Sequence, residues 1–199
     1  DAALRGRLAP CHFNQPMVRQ APCLVTVCAD VHRFSMWCEQ RDADPAYDNF
    51  EWFLNAATDA LLATQNLCIE AESHGLGICI LGTTLYTAGD IARILELPKG
   101  VIPLTTVVMG YPDESPELTD RLPLEAVVHY EKYTDYTAAE IDELWAEREE
   151  SAQTKQLLEE NKLPNLAQIF TRNRYRREDN IAVSKAYFAL LREKGFFNN

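Results

Sequence analysis

Apolar residues follow two rhythms along this chain: short unbroken runs, and longer stretches in which they recur every three or four positions. The run "PCLVTVCA", Pro22 to Ala29, is continuous and rich in β-branched residues, which predicts a strand buried on both faces. Ile78 to Leu81 and Val101 to Met109 predict two further short strands. Between the first two strands, Ala46 to Ser73 predicts one long helix. Phe50, Phe53, Leu54, Ala57, Leu61, Thr64, Cys68 and Ala71 repeat there at helical steps. A second stripe, Trp52, Ala56, Ala60, Ala63 and Leu67, lies on another face, so this helix is expected to be central and packed on both sides. Its small alanines would admit another helix at close range, that of a second subunit included.

Thr87 to Leu97 predicts an amphipathic helix stopped by Pro98. The strand at Val101 to Met109 is closed by "GYP", Gly110 to Pro112, and a proline-punctuated loop with "RLP" at Arg121 to Pro123 follows. Beyond it the character changes. Thr137 to Asn161 predicts a charged helix, capped by Thr137 with Glu140 three residues on. Asn180 to Lys194 predicts a terminal amphipathic helix stopped at Gly195. Strands are few and do not alternate regularly with helices. The class this implies is α+β, helices packed around a small sheet.

Composition narrows the function classes more than it changes the fold. The chain has 199 residues and a net charge of −11, which argues against nucleic acid as a partner because phosphate backbones need a basic footprint. The acidic run Glu140 to Glu160 reads as a solvated helical face. No apolar run approaches the ~18 residues of a membrane span. The six cysteines contain no C-x-x-C pair, and Cys23, Cys28, Cys68 and Cys79 lie in apolar patterns. Buried free thiols in a reducing cytoplasm account for them. His12, His32, His74 and His129 are scattered without metal-ligand spacing, so no zinc site is expected. Neither a Ser-His-Asp nor a Cys-His constellation is visible, and so no catalytic protein nucleophile is expected.

Glycines mark the place where chemistry could sit. In "ESHGLGICILGTT", Gly75 reads as a left-handed cap that ends the long helix. Gly77 and Gly82 bracket the strand and permit close approach of a ligand or another chain. Their spacing does not make a G-x-G-x-x-G dinucleotide motif between strand and helix.

Three segments in order, "AATDALLATQNLCIEAESHGLGICILGTT", "LELPKGVIPLTTVVMGYPDESPE" and "RLPLEAVVHYEKY", resemble the FMN-dependent nitroreductase family through four marks: the helix ending A-E-S-x-G-L-G, the "LP…V.P" segment, "GYP" and the following "RLP". The likeness is greatest to oxygen-insensitive type A nitroreductases and NADPH-flavin reductases. It covers Asp1 to Tyr136 clearly and the remainder loosely. The resemblance implies a nitroreductase-like fold with a small, mostly antiparallel sheet. It implies an FMN-binding core over 1–136 and a C-terminal helical excursion over 137–199. It also implies a homodimer, in which hydride passes from NAD(P)H through flavin N5 to nitroaromatic, quinone or flavin acceptors by ping-pong exchange. Two alternatives share the scaffold: a non-catalytic flavin sensor or storage protein, and a flavin-dependent dehalogenase or dehydrogenase.

Carried over by position, the resemblance places Ile80, Leu81, Gly82 and Thr83 along one edge of the isoalloxazine ring, with the Gly82 amide near N5. Gln15 contacts the flavin from the segment before the first strand. Arg121 meets the FMN phosphate, although Thr119 stands where the type A pattern prefers lysine, which removes one cation. In "TRNRYRRED", Arg172 and Arg177 match the arginines that bind the 2′-phosphate of NADPH, with Arg174 and Arg176 as substitutes. The plain alternative is a surface patch that pairs with the acidic Glu140 to Glu160 stretch. The family's N-terminal arm, with its R-S-x-R-like motif, is not supplied by Asp1 to Leu8, and the natural start is expected upstream of Asp1.

Overall fold

The computed structural model describes residues 1–116 and 118–198. Its elements, in order, are α1 (Ala2–Leu8), α2 (Pro16–Gln20), β1 (Cys23–Asp30), α3 (His32–Glu39), α4 (Phe50–Ser73), β2 (Gly77–Leu81), α5 (Ala88–Ile94), β3 (Val101–Gly110), α6 (Ala138–Glu150), α7 (Ala152–Asn161), α8 (Leu166–Ile169) and α9 (Arg177–Glu193). The architecture is α+β. The three strands form one antiparallel sheet in the order β1-β3-β2.

Strand β3 is the middle strand, and Val101 through Val108 are buried without a break. β1 was expected to be buried on both faces and is not: only Ala29 is buried, and most of the strand is half-exposed. The reason is position, because an edge strand shares its hydrogen bonds and its cover on one side only. The β1–β3 register shifts between Val27 and Cys28, which pair with Thr105 and Pro103, leaving Leu104 as the extra residue. Proline has no N–H for the ladder, so a bulge beside Pro103 is where the irregularity belongs. The Tyr187 hydroxyl on α9 donates to the Pro103 carbonyl at 3.1 Å.

The long helix begins at Phe50 rather than Ala46, because the side chain of Asn49 caps it by accepting from the Trp52 amide. Phe53, Ala57, Thr64, Cys68 and Ala71 form its buried face. The second stripe is covered only over its first half: Trp52, Ala56 and Ala60 are half-buried against the core, whereas Ala63 and Leu67 are exposed. Leu54 and Leu61 of the first stripe are exposed as well, beside Leu62 (65%) and Ile69. Among the four thiols in apolar patterns, Cys68 is buried and Cys28 and Cys79 are half-buried, whereas Cys23 is exposed at the end of an edge strand. Burial pushes the Cys28 thiol up to about 11. Among the described residues no helix is long and apolar enough to cross a membrane.

The chain divides into two compact units, Asp1–Glu114 with Ala182 onward, and Ser115–Ile181. This division differs from the boundary expected at Tyr136. The C-terminal residues join the first unit because Leu190, Leu191 and Phe196 enter the same core as Ala29, Phe53, Ile102 and Leu104. The Gly100 amide also donates to the Lys194 carbonyl at 2.8 Å. In the second unit the expected helix at Thr137 to Asn161 is two helices. Thr137 and Glu140 form the expected capping box, and Ser151 both ends α6 and caps α7 by accepting from the Thr154 amide.

Gly75 ends α4 at φ +74°, the left-handed cap expected of it. At Gly77 a Cβ would lie 3.2 Å from Pro112 Cβ, so close packing accounts for this glycine. Gly110 is tighter still, since a Cβ there would lie 2.6 Å from Cδ of Pro22. Gly110→Ala is therefore expected to cost about 1–3 kcal/mol in urea unfolding, as an overpacked site with a rigid neighbour. Gly6→Ala, in α1 with nothing within 4 Å of the new Cβ, is expected to gain ~0.5–1 kcal/mol. Equal stability of the two variants would contradict the packing described here.

Candidate functional site

Strand β2 leaves the sheet at Leu81, whose side chain is buried with Ala9, Val18 and Val108. The chain then tightens into a 3₁₀ turn over Gly82–Leu85. Thr84 pins this turn onto the middle strand. It is fully buried, and its hydroxyl donates to the Leu81 carbonyl (3.1 Å) or the Thr106 hydroxyl (3.0 Å). Thr87, just beyond, donates to the Cys11 carbonyl at 2.7 Å and so fastens the turn to a second short 3₁₀ turn, Ala9–His12.

His12 makes the other tie. Its side chain is fully buried, and Nδ1 lies 2.8 Å from the Thr83 hydroxyl. Its Nε2 is buried with no hydrogen-bond partner among the described residues. Burial holds the imidazole below its ordinary pKa, so the ring is neutral. After His12, Phe13 and Asn14 both take left-handed backbone (φ 55° and 54°), which brings the Gln15 amide back to the His12 carbonyl at 3.1 Å. Gln15 is half-buried and starts α2 without a side-chain cap bond.

The first unit thus brings the turn with Thr83 against the segment that ends at Gln15. Ile80 is 48% exposed, Gly82 is exposed and Thr83 is half-buried. A Cβ built on Gly82 would meet nothing within 4 Å. As opening residues of a 3₁₀ turn, Gly82 and Thr83 have amides without an acceptor inside that turn. Leu81 points into the core, so what it can offer a ligand is backbone. His12 did not stand out in the sequence, where it read as one of four scattered histidines. Its place three residues before Gln15 was the available signal, and its burial was not readable.

Arg121 belongs to the second unit. Its guanidinium folds back on its own loop, with Nη1 donating to the carbonyls of Thr119 (3.3 Å) and Asp120 (2.9 Å). Asp120 pairs with Arg148 at 3.3 Å. This unit also holds a cavity of about 590 Å³, whose lining includes Arg121, Arg148, Arg174 and Phe170. In the arginine cluster, Arg176 pairs with Glu178 and Asp179, and Arg174 stacks over Phe170 with its guanidinium carbon 5.5 Å from the ring centroid. Among the described residues the ion pairs of this cluster are local, and none reaches the acidic stretch. Arg172 and Arg177 are exposed and carry no ion pair among the described residues.

Residues 3–111 match the Nitroreductase family. The chain is 34% identical over 135 residues to an FMN reductase (NADPH) of Bacillus subtilis, which covers 67% of this chain and 54% of that protein. It is 35% identical over 133 residues to an oxygen-insensitive NADPH nitroreductase of Salmonella typhimurium, with the same 67% and 54% coverage. The chain therefore spans about half the length of these relatives. A Bacteroides fragilis protein of known crystal structure superimposes with a TM-score of 0.97 at 48% identity, over 100% of this chain and 80% of that one.

The buried His12 generates a pH prediction. The unfolded chain protonates this imidazole near the ordinary value of 6.5, whereas the folded chain keeps it neutral to lower pH. The unfolded state then holds more protons, so stability rises with pH through the window just below 6.5 and falls as the pH is lowered through it. Glu140 and Asp179 are held below their ordinary carboxylate values, and the shifted thiols and phenols lie above the window. Urea midpoints of the wild type are expected to fall between pH ~7.5 and ~5.5, and those of His12→Asn to fall less. Parallel pH profiles would show that His12 is not the group responsible.

Proposed function

Since the chain belongs to the nitroreductase family, we propose that it is an FMN-dependent oxidoreductase that takes electrons from NAD(P)H and gives them to a nitroaromatic, quinone or flavin acceptor. The observation that carries this reading is the bare turn after β2. Exposed backbone at Gly82 has open space where a side chain would stand, and it is flanked by the exposed apolar Ile80 and the hydroxyl of Thr83. A flat ring with an apolar face and hydrogen-bonding atoms along one edge fits that surface. Bound FMN would supply two-electron transfer, the chemistry that no protein side chain offers here.

The chain's own residues then have separable tasks. Ile80 would cover part of a ring face, and the backbone of Leu81, Gly82 and Thr83 would meet its polar edge. Gln15 would contact the same group from the segment before α2. Arg121 is proposed separately, on its sequence pattern alone, as a partner of the FMN phosphate. A guanidinium suits that role because it can pair two oxygens at once. Thr119 beside it contributes a hydroxyl in place of a second cation. Arg172 and Arg177, which carry no ion pair among the described residues, are proposed to hold the 2′-phosphate of NADPH. In terms of sequence, 1–136 is proposed as the flavin-binding part and 137–199 as an excursion whose residues from Ala182 return to the first unit.

The exposed Leu54, Leu61, Leu62 and Ile69 on α4 support a homodimer joined through this helix, because a contiguous apolar face of this kind marks an interaction surface. Free thiols without a disulfide fit a cytoplasmic setting.

Purified protein loaded with FMN is expected to lose its yellow colour when NADPH is added without oxygen, and to regain it with a quinone or nitroaromatic. Protein that takes up FMN but is not bleached by either nicotinamide cofactor would end the oxidoreductase reading. Arg172→Ala combined with Arg177→Ala should raise the KM for NADPH by about tenfold or more and leave NADH within about twofold, as expected for lost charge-assisted hydrogen bonds. Equal losses for both cofactors would remove the 2′-phosphate assignment.

A further inference from the structure

The His12–Thr83 pair has two possible hydrogen arrangements, and they differ in what they leave for a ligand. In one, Thr83 donates to Nδ1, and the ring proton sits on Nε2. That nitrogen is buried and has no partner among the described residues, so this arrangement strands a buried N–H. In the other, Nδ1–H donates to the Thr83 oxygen, and Nε2 keeps only an unpaired lone pair. Buried N–H groups without an acceptor are the rarer defect in folded proteins, and acceptors with spare lone pairs are tolerated more often. The imidazolium would strand both a donor and a charge, and burial opposes it.

We propose that His12 is a positioning residue: as the Nδ1–H tautomer it occupies the Thr83 oxygen as donor and thereby reserves the Thr83 hydroxyl proton for an acceptor on the group bound at the Gly82–Thr83 turn. The Thr83 hydroxyl makes no other hydrogen bond among the described residues, so its proton has no competing use. On the flavin reading, on which the identity of the ligand rests, that acceptor is a nitrogen or carbonyl oxygen on the edge of the FMN ring. A neutral histidine suits the task better than a carboxylate or a lysine. It donates one hydrogen bond from a fully buried position without bringing a charge into the wall of the site. Thr87 and Thr84 hold the turn from two other sides, so the backbone that carries Thr83 keeps its place opposite His12.

Two measurements test this, and the first needs no ligand. Nitrogen NMR of protein labelled with ¹⁵N-histidine, free of FMN, should show His12 with a protonated Nδ1 and an unprotonated Nε2. The reverse pattern overturns the proposal. The second is FMN affinity, read by fluorescence quenching, in a double-mutant cycle. Thr83→Val should weaken FMN by roughly 3- to 10-fold, the range of one neutral hydrogen bond. His12→Leu should weaken it by a similar factor in the wild type and by nothing further in Thr83→Val. His12→Asn, whose amide can donate from the Nδ1 position, should restore most of the affinity. Additive losses, or equal losses for Leu and Asn, would show that His12 acts through packing rather than through the Thr83 hydroxyl. A wild-type protein that takes up no FMN would sink the flavin reading and the ligand named here, whereas the tautomer is decided by the ligand-free spectrum alone.

Discussion

The first unit depends on one strand being paired along both edges. Among the described residues β3 is the only strand paired with β1 and with β2, and Val101 to Val108 are buried without interruption. An antiparallel ladder on each side fixes the register of both neighbours, and a one-residue slip would turn every side chain to the wrong face. Where β2 ends is therefore not a local matter. Leu81 is set opposite Thr106, Thr84 reaches the same Thr106 through its hydroxyl, and the turn between them is held at a defined place on the surface.

That constraint explains why three glycines around one short strand do different work. Gly75 supplies a left-handed backbone angle, and Gly77 supplies room for Pro112. Both serve the fold. Gly82 serves neither purpose, for it has no positive φ and no neighbour that a methyl group would strike. Gly6 and Gly89 are equally uncrowded, so bareness alone does not single Gly82 out; what does is its place at the end of β2, between the exposed Ile80 and the pinned Thr83. The hydrogen bonds of His12, Thr84 and Thr87 converge on the same short turn and hold its exposed backbone in place.

Much of this was legible in the chain, and the exceptions share a cause. The α+β class, the three strands, the cap at Gly75 and the Thr137–Glu140 box follow from local patterns, and local patterns are what a sequence displays. The family likeness is what pointed to Gly82 and Thr83 as candidates. What escaped was set by position in three dimensions. "PCLVTVCA" reads as a doubly buried strand but lies at the sheet edge. α4 reads as packed on both sides, yet among the described residues nothing covers Leu54, Leu61, Leu62 and Ile69. The C-terminal helix reads as part of an excursion but delivers Leu190, Leu191 and Phe196 to the main core. His12 was passed over because a lone histidine carries no motif, and only its burial and its distance to Thr83 give it meaning.

The central claim is that the backbone at Gly82 faces the flavin and that its glycine is there for the ligand rather than for the fold. The most direct measurement is a pair of titrations on Gly82→Val, one with urea and one with FMN. The account predicts that folding stability changes by less than about 1 kcal/mol, because a Cβ there has nothing within 4 Å and the position is exposed. It predicts also that FMN affinity drops by at least about tenfold, near 1.4 kcal/mol, because that side chain stands between the turn and the ring. A variant that binds FMN as tightly as the wild type would contradict it.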